Sequence, residues 1–262
     1  MQIKFGPAGI GGVKEAVFNL EEFSKLGLKA CEIAFTYGVY IKNKEDALRI
    51  RKYAKKFGIE LSIHAPYWVN LNSAEKEKVK KSKERILRCC EVGHWLGVKR
   101  IVFHCGYFGK KDKKETHENI KNRIKEMQEE IKKNKWNVNL CPETMGKVNV
   151  FGSVEEIAQL VRDTQCGFCL DFAHILARDK KVDWKKIEKL FPQKNWHCHF
   201  SGIEYNEKGE RRHKKTQEKY WKWLFENLVK DKNIIIINEA PDSVGDSVEG
   251  LVLLKKNVPF CP

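Results

Sequence analysis

Residues 60–68, ELSIHAPYW, combine a short apolar run with a terminal histidine, a proline and two aromatic side chains. Similar short runs, rich in β-branched and apolar residues, recur along the chain, and each predicts a strand. They are QIKFG (2–6), ACEIAF (30–35), ELSIHA (60–65), RIVFH (100–104), VNLCPE (138–143), GFCLD (167–171), WHCHF (196–200) and IIIINEA (234–240). Longer amphipathic segments between these runs predict helices, so strand and helix alternate along the whole chain.

Eight strand–helix units in 262 residues match the count and length of a parallel (β/α)8 barrel, the TIM barrel. The alternative, a doubly wound sheet, usually has fewer units and a glycine-rich phosphate loop after its first strand. The segment GPAGIGG (6–12) lacks the GxGxxG spacing of that loop, and we interpret it as a flexible connection. We therefore expect one α/β barrel domain over residues 1–262, with its active site at the C-terminal ends of the strands.

The charge and the cysteines restrict the class of protein. Fifty Lys and Arg against 35 Asp and Glu give a net charge of +15, which attracts polyanions such as nucleic acid. A generally lysine-rich surface would give the same charge, because the basic residues are spread over several helices. No long apolar run predicts a membrane span, and the N-terminus lacks the pattern of a secretory signal. The nine cysteines stand mostly inside apolar runs, which is typical of buried free thiols in a cytoplasmic protein.

Six consecutive predicted strands end in an imidazole or a carboxylate, and in a barrel these ends face the catalytic rim. The six residues, in chain order, are His64, His104, Glu143, Asp171, His199 and Glu239. Two more histidines lie just beyond strand ends, His174 after the sixth strand and His213 in the long loop after the seventh. One such residue alone would be a structural residue or a helix cap. Six in succession predict a shared site.

The other histidines, His94, His117 and His197, lie on predicted helices or beside His199, and we interpret them as structural or surface residues. We expect only one of His197 and His199 to point into the barrel. His199 is favoured because it is nearer the end of its strand.

Neutral imidazoles together with carboxylates suit zinc, manganese or iron. Eight ligands are more than one ion requires, so they predict two or three ions. Glu143 stands midway in the strand order and is the natural carboxylate to bridge two of them. Two ions about 4 Å apart suit displacement at phosphorus, because one activates water and the other stabilises the leaving oxygen. The pattern therefore predicts metal-assisted hydrolysis of a phosphodiester.

The order and spacing of six segments resemble the endonuclease IV family of apurinic/apyrimidinic endonucleases and its archaeal-type relatives. The segments are HAPYWVNL (64–71), FHCG (103–106), ETMGK (143–147), CLDFAH (169–174), HFSG (199–202) and NEAP (238–241). The resemblance is specific at the ligand positions and loose in the helices. It implies a (β/α)8-barrel enzyme with three zinc ions, manganese being the alternative metal. Such an enzyme cleaves double-stranded DNA on the 5′ side of an abasic site and is typically a monomer.

The resemblance also implies a role for each residue. One zinc is held by His64, His104 and Glu143. Glu143 bridges to a second zinc, which is completed by Asp171, His199 and Glu239, and a metal-bound hydroxide attacks the phosphate. Glu143 and Glu239 are thus the catalytic carboxylates. The third zinc is held by two residues, His174 and His213.

The family's loop after the third strand enters the DNA minor groove, where a side chain fills the gap left by the abasic nucleotide. Tyr67 and Trp68 stand at this position. The family also places an intercalating arginine in the loop after the second strand, but residues 35–43, FTYGVYIKN, contain none. Tyr37 or Tyr40 is the candidate to stack on DNA in its place.

Two further positions depart from the family. Arg211 replaces an aspartate of the third zinc site, and Glu210 is the candidate substitute if the loop is shifted. The residues after His199 are FSG where the family often has Asn-Asp, which alters the support of that imidazole.

A sugar isomerase or epimerase on the related xylose-isomerase-type barrel is the main alternative. Four of the residues would satisfy its one- or two-metal site, namely Glu143, Asp171, His199 and Glu239. The four additional histidines and the charge of +15 favour the nuclease. A non-catalytic barrel that binds DNA or stores metal is a third possibility, and the intact bridging set argues against it.

Overall fold

The computed structural model describes residues 2–257, which form a parallel barrel surrounded by helices. The barrel strands in this range are β1 (Gln2–Pro7), β2 (Ala30–Ala34), β3 (Glu60–His64), β4 (Arg100–Phe103), β5 (Asn139–Pro142), β6 (Leu170–Asp171), β7 (Asn195–His199) and β10 (Asn233–Asn238). Two further strands, β8 (Gly202–Asn206) and β9 (Gly209–Lys214), form an antiparallel hairpin between β7 and β10. The predicted (β/α)8 barrel is confirmed.

Helices follow the strands around the outside of the barrel. Within the described residues they are α1 (Ala16–Lys25), α2 (Lys44–Phe57), α3 (Lys76–Leu96), α4 (Lys113–Lys133), α5 (Val154–Thr164), α6 (Phe172–Asp179), α7 (Trp184–Leu190), α8 (Glu218–Asn227) and α9 (Ser243–Asn257). Local sequence signals set several of their ends. Ser153 and Glu156 form a capping box at the start of α5, and Gly58 and Gly97 end α2 and α3 in the left-handed conformation.

Close approach of the backbones completes the barrel. Hydrogen bonds group the strands into two parallel sheets, ordered β1-β10-β7-β6 and β2-β3-β4-β5. Single parallel bridges join the sheets at both seams, Ala8 with Glu32 and Glu143 with Cys169. At the first seam a Cβ atom on Gly6 would lie 1.8 Å from the backbone oxygen of Ala30. This closure brings the carboxyl ends of all eight barrel strands to one rim.

Two elements of the structure are not predicted by the sequence pattern. Helix α6 begins directly after β6, because the Asp171 Oδ1 accepts a hydrogen bond of 2.8 Å from the backbone N–H of His174. The hairpin β8–β9 carries mostly polar, solvent-facing residues, so it lacks the apolar run by which strands are recognised. The expectation that His213 lies in a loop is therefore wrong, since His213 belongs to β9.

The eight cysteines within residues 2–257 are all free and buried, as the sequence predicts. The ninth, Cys261, and the outermost residues of the expected 1–262 domain lie outside the described residues. In the described part of the chain, every helix is too short or too polar to cross a lipid bilayer.

An aromatic cluster packs α8 against the outside of the barrel. Trp221 is fully buried, with its ring 5.8 Å from Phe5, 5.2 Å from Phe200 and 5.8 Å from Phe225. Burial of aromatic rings in edge-to-face and stacked pairs contributes both apolar area and specific geometry. This cluster anchors the segment that connects the hairpin to β10.

Truncating this anchor is expected to destabilise the barrel. Trp221→Ala leaves a large cavity and should lower the free energy of unfolding by about 3–5 kcal/mol. Denaturant unfolding followed by circular dichroism measures the loss. Phe18→Ala is the matched control, because Phe18 is 63% exposed, and its effect should stay within about 0.5 kcal/mol. Similar losses in the two variants would contradict this account of the core.

Candidate metal centre

Imidazole and carboxylate side chains meet at the carboxyl-end rim, because parallel strands all end there. Glu143, Asp171 and His199 are fully buried, and other members of the group are partly open to solvent. The rim brings together all eight residues that the sequence selects as ligands: His64, His104, Glu143, Asp171, His174, His199, His213 and Glu239. Their role as ligands stays a prediction.

Glu143 lies at the centre of the group, one residue beyond β5. Its Oε2 lies 3.1 Å from the Nε2 of His64 and 3.0 Å from the Nε2 of His104. Its Oε1 lies 3.1 Å from the Nδ1 of His199. The two oxygens of one buried carboxylate thus face imidazoles from different sides of the barrel.

Two sets of ligand atoms share Glu143. In one set, His64, His104 and Glu143 have ligand atoms within 4.8 Å of one another. The other set meets the same limit and consists of Glu143, Asp171, His199 and Glu239. Because Glu143 belongs to both, the arrangement can hold two ions that share one carboxylate.

Asp171, His174 and His213 form a third set within the same limit. Glu210 adjoins it, with its Oε2 3.3 Å from the Nε2 of His174 and its Oε1 4.0 Å from the Nε2 of His213. Arg211 points away, since its side chain is 62% exposed and lies 3.5 Å from Glu204. The structure therefore places Glu210, and not Arg211, beside the third set.

A β-bulge explains why Glu210, and not Arg211, lies beside the third set. Glu204 pairs with Arg212 and Tyr205 pairs with Glu210, so Arg211 is an extra residue in β9. In a regular strand, residues three apart face opposite sides, but one extra residue puts Glu210 and His213 on the same side. Gly146 makes room for this approach, because a Cβ there would lie 2.6 Å from the Cβ of Glu210.

Three of the histidines are oriented by oxygen atoms outside the group. The Nδ1 of His64 lies 2.8 Å from the carbonyl oxygen of Ala65, and the Nδ1 of His174 lies 3.0 Å from that of Thr144. The Nδ1 of His213 lies 2.7 Å from the Oγ of Ser201. An imidazole that donates Nδ1–H to a carbonyl presents the unprotonated Nε2, the form that binds metal. The Nε2 of His64 therefore faces Glu143, and the Nε2 of His174 faces Glu210.

The donor set fits divalent zinc. Two buried atoms at the rim, the Oδ2 of Asp171 and the Nε2 of His174, make no hydrogen bond among the described residues and have only ion contacts, at 3.4 Å to the Nδ1 of His174 and at 3.3 Å to the Oε2 of Glu210. Orphaned polar atoms in the interior are costly unless an ion or water pairs with them. Imidazole nitrogens and carboxylate oxygens at these separations are ligands that zinc accepts.

Electrostatics hold the carboxylates of Glu143 and Glu239 ionised despite their burial. Burial by itself would raise the pKa of Glu143, but the surrounding imidazoles, above all His199, outweigh it and hold the pKa well below its usual range. The same balance lowers the pKa of Glu239 to about 2. Burial would lower the pKa of His64, but contact with Glu143 raises it to about 9. Burial dominates at Asp171, whose pKa is raised.

Two buried residues of this region were not assigned to it by the sequence pattern. His197 and His199 both point into the barrel, because residues two apart on a strand share a face. The expectation that only one of them does so is wrong. Glu32 on β2 is fully buried and contacts both imidazoles, which hold its pKa well below the usual range although burial opposes this. A charged residue inside the apolar run ACEIAF was the signal that could have identified it.

Aromatic side chains stand beside the rim. Tyr67 and Trp68 are 52% and 64% exposed, and the Tyr67 ring lies 5.5 Å from that of His104. Arg85 on α3 donates a hydrogen bond of 2.8 Å to the backbone oxygen of Trp68 and so fixes the loop. Tyr37 is 86% exposed, whereas Tyr40 packs edge-on against Phe35 at 5.0 Å. Of the two tyrosines considered for stacking, Tyr37 is the accessible one.

Comparison with known proteins identifies similar sequences over most of the chain. A family model described as a xylose isomerase-like TIM barrel matches residues 20–257. An uncharacterized protein of Methanocaldococcus jannaschii is 37% identical over 222 residues, 80% of each chain. A probable endonuclease 4 of Mesomycoplasma hyopneumoniae is 28% identical over 175 residues, 63% of this chain and 59% of the relative. An apurinic-apyrimidinic endonuclease of Caenorhabditis elegans is 29% identical over 201 residues, 68% of this chain and 50% of the relative.

Solved structures share the barrel at lower sequence identity. Endonuclease IV from Thermus thermophilus has a TM-score of 0.72 and 21% identity, covering 97% of this chain and 99% of that chain. D-Psicose 3-epimerase from Clostridium cellulolyticum has a TM-score of 0.71 and 14% identity, covering 97% and 98%. At these identities the similarity shows the fold alone, and the fold is common to a nuclease and an epimerase.

The charge balance of the centre predicts that metal binding releases protons. Below pH 9 both ring nitrogens of the metal-free His64 carry a proton, because its pKa is about 9, and an incoming ion must displace the proton on Nε2. Metal affinity should therefore rise as the pH is raised from 6 towards 9, and proton release should diminish above that pH. Calorimetric titration with zinc at pH 7.5, in buffers of different ionisation enthalpy, measures the number of protons released. His94→Gln should match the unaltered protein, and an enthalpy independent of buffer would contradict the prediction.

Proposed function

The chain belongs to the xylose isomerase-like TIM barrel family and is a relative of the endonuclease IV proteins, and from this premise we propose that it is a metal-dependent DNA repair endonuclease. The proposed reaction is hydrolysis of the phosphodiester on the 5′ side of an abasic site in double-stranded DNA. The observation that carries this proposal is the position of four histidines, His64, His104, His174 and His213, around the carboxylates of the rim. Relatives named endonuclease 4 and apurinic-apyrimidinic endonuclease support it.

Two ions share the central carboxylate in this proposal. His64, His104 and Glu143 hold the first. The second is held by Glu143, Asp171, His199 and Glu239. Ions bound by these residues would supply activated water and would neutralise negative charge on the phosphate. Zinc is favoured over manganese because imidazoles make up much of the donor set.

Glu143 and Glu239 would serve as the catalytic carboxylates by holding these ions. Glu143 suits the bridging role because its Oε2 faces His64 and His104 while its Oε1 faces His199. Glu239 closes the other side of the group, with its Oε2 3.5 Å from the Nδ1 of His199. Both stay ionised at neutral pH, because their pKa values are lowered by the neighbouring imidazoles against the effect of burial.

The third ion is held by His174, His213 and Glu210 in this proposal. Glu210 takes the place of the aspartate that Arg211 replaces, because the bulge in β9 turns it towards His174. A carboxylate one residue earlier in the chain would thus supply the acidic ligand of this site.

The surface around the rim suits a DNA duplex. Tyr37, Tyr67 and Trp68 expose aromatic rings beside the site, where they are positioned to stack on bases or fill the gap at an abasic nucleotide. The net charge of +15 attracts the phosphate backbone and speeds association.

An epimerase acting on a sugar is the second candidate, because the D-psicose 3-epimerase structure shares the barrel. A one- or two-metal site needs only Glu143, Asp171, His199 and Glu239. The remaining histidines distinguish the candidates, since an isomerase leaves His64, His104, His174 and His213 without a role as ligands.

Removing the negative charge of Glu143 is expected to abolish incision of abasic-site DNA. Glu143→Gln should lower the rate of cleavage of an abasic-site duplex by at least about 1,000-fold, or about 4 kcal/mol, because an amide does not bridge two cations. Gel analysis of a labelled duplex, beside an intact duplex, measures the rate. His94→Gln should cut at the unaltered rate. Normal cleavage by Glu143→Gln would refute the assignment, and sugar epimerisation without any DNA cleavage would favour the second candidate.

The neighbouring residues Glu210 and Arg211 test the third ion. Glu210→Gln should reduce the zinc content of the purified protein by one ion per chain, because the proposed third site then loses the carboxylate that β9 supplies. Arg211→Ala should leave the content unchanged, since Arg211 faces solvent. Elemental analysis after gel filtration measures the content. Loss of an ion from Arg211→Ala, or none from Glu210→Gln, would show that the bulge does not build this site.

A further inference from the structure

A second carboxylate lies inside the barrel below the metal centre. Glu32 on β2 is fully buried and pairs in register with Ser62 on β3. The side chains around it come from β3 and β7, at the seam where β1 passes β2. A buried carboxylate costs several kcal/mol of desolvation unless it is paired, so its contacts define what it does.

One oxygen of Glu32 is held by two hydrogen bonds. The Oγ of Ser62 donates to the Oε2 at 2.7 Å, and the Nε2 of His197 contacts the same oxygen at 2.9 Å. Both partners are buried, with exposures of 3% and 2%. These two contacts fix the rotation of the carboxylate and direct its Oε1 towards β7.

The other oxygen of Glu32 faces His199. Its Oε1 lies 2.9 Å from the Nε2 of His199, as an ion contact and not as an aligned hydrogen bond. The opposite ring nitrogen, Nδ1, lies 3.1 Å from the Oε1 of Glu143 and 3.5 Å from the Oε2 of Glu239. The imidazole of His199 therefore stands between Glu32 on one side and the carboxylates of the centre on the other.

We propose that Glu32 is a positioning residue, whose Oε1 lies against the Nε2 of His199 as an ion contact and so keeps the Nδ1 directed towards an ion at Glu143, Asp171 and Glu239. This inference rests on the proposed metal centre. A carboxylate behind a ligating imidazole fixes the tautomer and ring orientation and makes the ligand more basic. Ser62 and His197 support Glu32 in turn, so His197 acts in the site without being a ligand.

The arrangement explains why charge is present in an otherwise apolar strand. Replacing a buried ion pair with apolar side chains is often neutral or stabilising, so such a pair is weak evidence for a role in stability. Orientation of a ligand is a role that an apolar residue does not perform. The Nδ1 atoms of His64 and His174 lie against backbone carbonyls and that of His213 against a serine, whereas the Nε2 of His199 faces Glu32, a buried carboxylate outside the three ligand sets of the rim.

An ion bound at Cys169 is the competing explanation for the position of Glu32 beside His199. Cys169 forms, with His197 and His199, a buried set of ligand atoms within 4.8 Å of one another. If an ion occupied that set, His199 would bridge it to the main centre and Glu32 would serve as an additional ligand. Cysteine substitution separates the two explanations, because a positioning role does not involve the thiol.

The experiment measures zinc affinity in the absence of DNA. Glu32→Gln preserves size but removes the charge, and one ion should then be lost to a competing chelator about 10–100-fold more readily. The other ions should be retained as in the unaltered protein. Glu60→Gln is the matched control, since Glu60 is a carboxylate at the start of β3 paired with Lys4 and Arg100, and it should leave every ion unaffected.

Ser62→Ala is the milder variant, and it tests the positioning role of Glu32 if Glu32→Gln does not fold. It keeps the charge but frees the carboxylate to rotate, so the same ion should be held a few-fold less tightly. Thermal unfolding of the chelator-treated variants records any purely structural effect. Unchanged affinity for every ion in a folded Glu32→Gln or Ser62→Ala protein would overturn the proposal. So would the loss of one ion from Cys169→Ser, because that ion would lie in the thiol set.

The result is independent of the proposed reaction. A protein that loses one ion more readily on Glu32→Gln but does not cut abasic DNA would retain the positioning role and lose the nuclease assignment. Cutting of abasic DNA with unchanged zinc affinity in Glu32→Gln would retain the nuclease assignment and remove the positioning role.

Discussion

The need to pair buried carboxylates organises the carboxyl-end face of the barrel. Glu143 is fully removed from solvent, and moving an ion of its size out of water costs several kcal/mol unless partners compensate. The partners are imidazoles on β3, β7 and the turn after β4, each within 3.1 Å of one of its oxygens. Parallel strands make this possible, because their ends converge on one rim although their residues are far apart in the chain.

Inside the barrel, carboxylates lie on both sides of the His199 imidazole, in successive layers towards the rim. Glu32 lies below His199, His199 lies below Glu143 and Glu239, and each layer contacts the next at 2.9–3.5 Å. A side chain held on both sides has little freedom to rotate, and such fixation is what a metal ligand would require. The barrel interior thereby orients the rim, and the rim does not depend on flexible loops for its central histidine.

The hairpin β8–β9 has a different role. It brings Glu210 and His213 to a centre otherwise built from the ends of barrel strands and α6. The extra residue Arg211 changes which side chain faces inward, while the neighbouring glycine at 146 leaves space for it. A comparison of aligned positions alone would record a lost acidic ligand here. The one-residue shift of the backbone brings the carboxylate of Glu210 to 3.3 Å from the Nε2 of His174.

The sequence by itself determined the eightfold alternation, the barrel and the eight residues gathered at the rim. These depend on local patterns, an apolar run followed by a polar residue, and the barrel converts a shared position on each strand into proximity. Tertiary structure decided the rest. Glu32 and His197 are separated by 165 residues, and their contact depends on strand register and barrel closure. The inward position of Glu210 likewise depends on a bulge, whose polar strands carry no hydrophobic periodicity to reveal it.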